Sequence, residues 1–196
     1  MIPDQVQVQA LWQKYKLPLN KQRHSSLVAY TADYIARKIM VSRQGSGVNI
    51  NRKVLQAAAL LHDIDKNIPK LPDEKHPDAG VRILKEEGMA EVAELIKIHP
   101  LHMIADPVAA PKSWEEKILF LSDKMVKYDI IGVDDRFRLW FAEQMPQDAR
   151  EVLDLTYSLV KNLESEICDT IGLTPKELVK NIKSRYTKGA NVTLPE

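Results

Sequence analysis

Apolar residues recur at steps of three and four along most of this chain, a period that helices satisfy and strands do not. The clearest stripe is Val152, Leu155, Leu159, Leu163 and Ile167, in a helix expected from about Asp148 to Ile171. Alternating runs of β-branched residues do not cluster anywhere. A helix is expected from Lys21 to Val41, with Asn20 as N-cap and Gly45-Ser46-Gly47 as exit turn. Another starts near Asn51 and carries Val54, Leu55, Ala58, Ala59 and Leu61 toward His62. A third begins at Pro77 and stops at Gly88, and a fourth runs from Ala90 to His99, ended by Pro100. The capping box Ser113-Trp114-Glu115-Glu116 opens a fifth that continues past Asp123. A sixth covers Asp134 to Gln144. The last opens at a second capping box, Thr174-Pro175-Lys176-Glu177, and the tail after Lys188 is expected to fray. The fold class is therefore all-α, and the prolines between the second and fifth helices mark the connections where a site would lie.

Composition narrows the function. With 196 residues, 44% of them hydrophobic, the chain can bury a core as one domain or one domain with an extension. A net charge of +1 lacks the basic excess of a dedicated nucleic-acid or membrane-surface protein, so neither partner is expected. The longest wholly apolar run, Ala57 to Leu61, is far too short to span a bilayer. The start, Met1-Ile2-Pro3-Asp4-Gln5, has neither the basic beginning nor the apolar stretch of a signal peptide. One cysteine, Cys168, allows no intrachain disulfide and no thiolate zinc knuckle. A reducing, cytoplasmic setting is expected.

The chemistry lies in the histidines. One histidine on an apolar face is usually a satisfied core residue, but here four fall on inward positions. His24 shares a face with Val28, Thr31, Ile35 and Ile39. His62 lies seven residues after Leu55 and is followed by Asp63. His76 precedes Pro77, which places it in a cap position, and Gly80 removes bulk from the same face. His99 continues the stripe of Val92, Leu95 and Ile96. Asp123 sits among Leu119, Phe120 and Val126, where an acid is costly unless paired or coordinated. Inward imidazoles and carboxylates at the helix ends of a bundle are what a dinuclear metal site requires.

His24, then His62-Asp63, then Asp123 resembles the signature of the HD-domain metal-dependent phosphohydrolases. Ala58-Ala59-Leu60-Leu61-His62-Asp63-Ile64-Asp65-Lys66 looks like the core helix of that family. His76-Pro77-Asp78-Ala79-Gly80 resembles the extra histidine of its two-metal members. Ile96-Lys97-Ile98-His99 and Lys117-Ile118-Leu119-Phe120-Leu121-Ser122-Asp123-Lys124 fit as well. Order and spacing are most similar to the bacterial members that split diadenosine tetraphosphate symmetrically. The likeness covers Lys21 to Arg138. Two departures stand out. Pro100-Leu101-His102-Met103 replaces a Thr-Gly-containing loop, and Asp65 stands where a small residue is commoner.

The resemblance implies an HD-domain helical bundle, assigned to residues 1–145; the helices from Asp148 onward lie outside the likeness, and residues 146–196 are expected as a C-terminal helical extension packed on the same domain. It implies that His24, His62, Asp63 and Asp123 hold one metal and that His76 and His99 hold a second, bridged by Asp63. Iron or manganese suits such ligands, with zinc, nickel or cobalt as substitutes. Asp63 and Lys66 would carry catalysis. Lys66, Arg136 and His102 are the candidates to contact a nucleotide substrate, against the plainer readings of a solvated lysine, a solvated arginine and a surface histidine. Trp114 and Trp140 read as packing residues. The stripe of the long helix either closes the bundle or forms a homodimer face. A one-metal nucleoside monophosphate phosphatase, or a metal-holding helical interaction module without turnover, are the alternatives. A cyclic-dinucleotide phosphodiesterase is disfavoured, since no Gly-Tyr-Pro segment follows His99.

Overall fold

The structure, a computed structural model, describes residues 1–45 and 47–188. It is all-α: α1 (Gln5–Lys14), α2 (Leu19–Val41), α3 (Arg52–Leu61), α4 (Asp78–Glu86), α5 (Ala90–Ile96), α6 (Trp114–Lys124), α7 (Val133–Ala142), α8 (Gln147–Ile171) and α9 (Pro175–Lys188). A single turn of 3₁₀ helix, Leu101–Ala105, follows α5. No strand occurs among the described residues, only the isolated bridge Val126–Ile130. None of the described helices is long and apolar enough to cross a membrane.

The long helix α2 is the axis of the bundle. It buries Leu27, Val28, Ala29, Ala32, Ile35, Ala36 and Ile39 against α3, α6, α8 and α9. Ala57, Ala58 and Ala59 are spread around more than half a turn of α3, and their small side chains let neighbouring helices approach it from more than one side. Helix α4 folds back over α5 and the turn after α3. Gly80 permits this: a Cβ there would stand 3.2 Å from Ile96 Cδ1 and 3.4 Å from Ile64 Cγ2. Helix α6 brings Phe120 and Leu119 into the centre, both without exposed surface. Helix α8 then lies across the 3₁₀ turn, α7, α6 and α2.

The capping box at Ser113 and Glu116 forms as expected, and so does the bonding between Thr174 and Glu177 that opens α9. Several boundaries differ from the sequence reading. Helix α1 was not expected, although Asp4 and Gln7 form a complete capping box before it. The N-cap of α2 is Pro18, not Asn20. Pro77, not His76, occupies the N-cap of α4. Helix α5 ends at Ile96, because the proline at 100 biases His99 away from helical geometry and the chain leaves in turns.

The stripe on α8 is also misphased in its first half. Val152 and Leu155 are exposed, and the buried line is Leu153, Thr156, Val160, Leu163 and Ile167. Thr156 can be buried because its hydroxyl donates to the Val152 carbonyl at 2.6 Å. The exit turn proposed at Gly45-Ser46-Gly47 includes Ser46, and the fraying proposed after Lys188 concerns 189–196; both fall outside the described residues.

Candidate metal centre

Four elements deliver four imidazoles to one place. His24 comes from the first turns of α2, His62 caps the C-terminus of α3, His99 follows α5, and His76 precedes α4. Their rings form a chain: His24 to His62 at 5.2 Å between centroids, His62 to His99 at 5.0 Å, and His99 to His76 at 4.8 Å. Two acids line it. Asp123, near the end of α6, lies with Oδ1 3.0 Å from His24 Nε2 and 3.5 Å from His62 Nε2. Asp63 lies with Oδ1 3.5 Å from His76 Nε2 and Oδ2 3.9 Å from His62 Nε2. The ε nitrogens of His76 and His99 are 2.9 Å apart.

The opposite ring nitrogens explain why the rings face this way. His62 Nδ1 meets the Ala59 carbonyl at 2.8 Å, and His99 Nδ1 meets the Ile96 carbonyl at 2.5 Å. Both acceptors are carbonyls near helix C-termini, where the last turn leaves carbonyl oxygens without intrahelical donors. His24 Nδ1 reaches the Lys127 carbonyl at 3.3 Å, and His76 Nδ1 reaches Asp65 Oδ1 at 2.8 Å. With Nδ1–H donating in each ring, Nε2 is left with its lone pair directed at the centre, the tautomer that binds a metal. His62 Nε2 is buried and has no hydrogen-bond partner among the described residues.

The acids carry a strong demand for positive charge. Burial opposes ionisation of Asp63, yet His62, Lys66 and Lys21 outweigh it and hold the carboxyl below the usual range. Asp123 is likewise opposed by burial, but the charge of Lys124, a hydrogen bond with His24 and the neighbouring His62 hold it well below the ordinary value. Burial works against charge on His62, and Asp63 and Asp123 overcome it, so its pKa rises. Burial, and after it the charge of His62, push His99 well below the usual histidine value. Lys21 Nζ stands 3.0 Å and Lys66 Nζ 3.3 Å from opposite oxygens of Asp63. Lys124, only 3% exposed, donates to Asp123 Oδ2 and to the His99 carbonyl.

The structure thus gathers His24, His62, Asp63, His76, His99 and Asp123, with Lys66 beside them. His24, His62 and Asp123 form one group able to hold an ion, and His62, Asp63 and His99 form another. Arg136 is half-buried on α7, its guanidinium 4.2 Å from the Trp140 ring centroid. Its Nε and Nη1 are buried without a hydrogen-bond partner among the described residues. Burial lowers its pKa, against the opposing pull of Asp123, Glu143, Tyr128 and Asp63. Arg138, by contrast, pairs with Asp135 on its own helix, and His102 stands exposed on the 3₁₀ turn. Trp114 and Trp140 pack against the core, as expected. A cleft of about 300 Å³ opens beside His24, lined by Arg23, Lys127 and Tyr128 among others. A larger one of about 790 Å³, lined by Ile2, Asp33, Arg52 and Leu60 among others, includes none of the clustered residues.

Sequence reasoning missed Lys21, Lys124 and Asp65. Lys21 carried a signal, since it precedes His24 by three residues and so shares its helix face. Lys124 follows Asp123 directly, but its burial depends on the turn after α5, whose His99 carbonyl accepts from it. Asp65 had no local signal pointing to His76.

Six imidazole and carboxylate side chains converging inside a helical bundle define a candidate metal-binding protein. The donor set suits a transition metal, and the orphaned His62 Nε2 gives that fit a specific atom. The family model of the HD domain matches residues 22–127, from just before His24 to just after Asp123. The chain belongs to the HD domain family, a family of metal-dependent phosphohydrolases. No curated protein and no solved structure matches it.

Proposed function

We propose that this protein is a two-metal phosphohydrolase that acts on a nucleotide, with diadenosine tetraphosphate as substrate and two molecules of ADP as products. The observation that carries the reading is the orientation of the four imidazoles. Each has Nδ1 occupied by an oxygen acceptor; His24, His62 and His76 turn Nε2 toward Asp63 or Asp123, and His99 Nε2 lies beside that of His76. His24, His62, Asp63 and Asp123 would hold one ion. His76 and His99 would hold the other, with Asp63 shared. Iron or manganese suits this set of neutral imidazoles and carboxylates. Such ions, when bound, supply Lewis acidity at phosphorus and make water acidic enough to attack near neutral pH.

The chain supplies the rest. Lys21 and Lys66, paired with Asp63, are placed to turn toward a substrate phosphate once that carboxylate has another cation to bind. The unpartnered guanidinium of Arg136 offers donors to a further phosphate. Arg23 and Lys127 give the cleft beside His24 a positive lining suited to a polyphosphate. The buried walls around His62 and His99 exclude bulk water, which strengthens these attractions.

The test is elemental analysis of protein purified without chelators, followed by assay on dinucleoside polyphosphates. About two ions per chain and ADP as sole nucleotide product are expected. His76→Ala and His99→Ala should each abolish turnover, and intact activity in both would sink the two-metal reading. One ion per chain with release of phosphate from nucleoside monophosphates would establish the one-metal alternative. A metal-loaded protein inert on every phosphoester tried would establish the interaction module.

A further inference from the structure

We infer that Asp65 is a positioning residue for His76 and through it sets the strength of the second metal position. The inference rests on the two-metal reading above. Asp65 lies in the turn after α3 and is 1% exposed, an acid inside the core. Its Oδ1 accepts from His76 Nδ1 at 2.8 Å. Its Oδ2 is buried and has no hydrogen-bond partner among the described residues. An acid so placed is costly to bury on one neutral partner, and a cation on the far side of that imidazole offsets the cost.

His76 needs such a partner more than the other three histidines do. Their δ nitrogens are fixed by backbone carbonyls of Ala59, Ile96 and Lys127. His76 sits ahead of α4, its side chain 22% exposed, and its Nδ1 is held by a side chain alone. Gly80 shows how closely α4 lies over this acid: a Cβ there would stand 3.6 Å from Asp65 Cβ, an ordinary contact, and a tighter 3.2 Å from Ile96 Cδ1. Asp65 therefore fixes the tautomer and direction of His76, leaving Nε2 beside His99 Nε2 and Asp63 Oδ1. A carboxylate on the far nitrogen also makes an imidazole a stronger donor.

The test is calorimetric titration of metal-stripped protein with manganese(II) alone, without substrate. Wild type should take two ions. In Asp65→Ala the tighter site should keep its affinity, which reports that the fold is intact, while the second weakens roughly 10- to 100-fold. His76→Ala should lose the second site. Asp65→Asn keeps an acceptor oxygen and loses only charge, so its second site should fall between wild type and Asp65→Ala. Two ions at unchanged affinity in Asp65→Ala would overturn the inference and leave the two-metal reading standing. A single ion in wild type would overturn both. If Asp65→Ala fails to fold, Asp65→Asn decides, and a wild-type second site in that variant overturns the inference.

Discussion

Replacing Lys124 with Met should weaken the metal-free protein and tighten its hold on metal. Met keeps most of the buried aliphatic stem, so the change removes mainly the ammonium. That ammonium donates to the His99 carbonyl at 2.7 Å and pairs with Asp123, while lying 4.7 Å from the Phe120 ring centroid. Two unit charges about 4 Å apart attract by roughly 4 kcal/mol at an effective dielectric of about 20. Breaking a buried pair by deleting one partner typically costs about 3–5 kcal/mol, in the same range. For a chain of this size that lowers Tm by roughly 6–20 °C. With metal bound, the ion supplies charge compensation to Asp123, and the cost of losing Lys124 shrinks. Linkage then requires the variant to bind metal more tightly, by roughly tenfold for each 1.4 kcal/mol of that difference. Melting by circular dichroism in chelator and in manganese, with metal affinity by titration, measures both. An equal loss of stability in the two conditions, or a metal-free variant as stable as wild type, would refute the reasoning.

Three further outcomes follow from the packing and the charges. Leu153→Ala should destabilise by about 2–5 kcal/mol and Leu155→Ala by no more than about 0.5 kcal/mol, measured by urea unfolding, because only Leu153 faces the core. Cys168 is buried, and burial, with Glu164 and Asp169, pushes its thiol up to about 12. Native protein at pH 8 should therefore resist a thiol-directed reagent that reacts fully in denaturant; rapid native labelling would contradict this. Asp63 and Asp123 titrate below the usual range in metal-free protein, so their contribution to stability is present above the unfolded value of about 3.9. It is lost as pH falls through their lower folded values, and Asp123→Asn should flatten that acid limb of the stability profile.

Where structure is set locally, the sequence was readable. Asn51 caps α3 by accepting from the Val54 amide at 3.2 Å, and Ser113 caps α6 in the same way, because a cap needs only residues three apart. Three histidines were legible for a related reason, since His24, His62 and His99 continue apolar stripes of the helices they sit on or follow, while His76 was marked by Pro77 and Gly80. Helix α8 shows the limit. Its sequence offers two overlapping stripes, and the choice between Leu155 and Thr156 is made by what α8 packs on, with the threonine hydroxyl satisfied by its own backbone. Lys124 and Asp65 lie deeper still. Nothing local marks a lysine or an aspartate as buried, and the distant partners, the His99 carbonyl and His76, arrive from the turn after α5 and from the segment before α4. Helix α1 was a different failure, because its capping box was in plain view.

The backbone anchoring of three imidazoles has a consequence for how such a chain tolerates change. Substitution can alter a side chain but not the carbonyls of Ala59, Ile96 and Lys127, so the aim of His62, His99 and His24 is indifferent to much of the identity around them. It is not indifferent to counting. One residue added within α3 would turn His62 by about 100° and shift it about 1.5 Å along the axis, carrying its ring away from Asp123. Drift in composition is thus the permissive direction for this protein, and a change of length inside α2, α3, α5 or α6 is the forbidding one. Insertions should be confined to connections that carry none of these groups, such as those between α2 and α3 or between α7 and α8, where they leave the phase of the rings untouched.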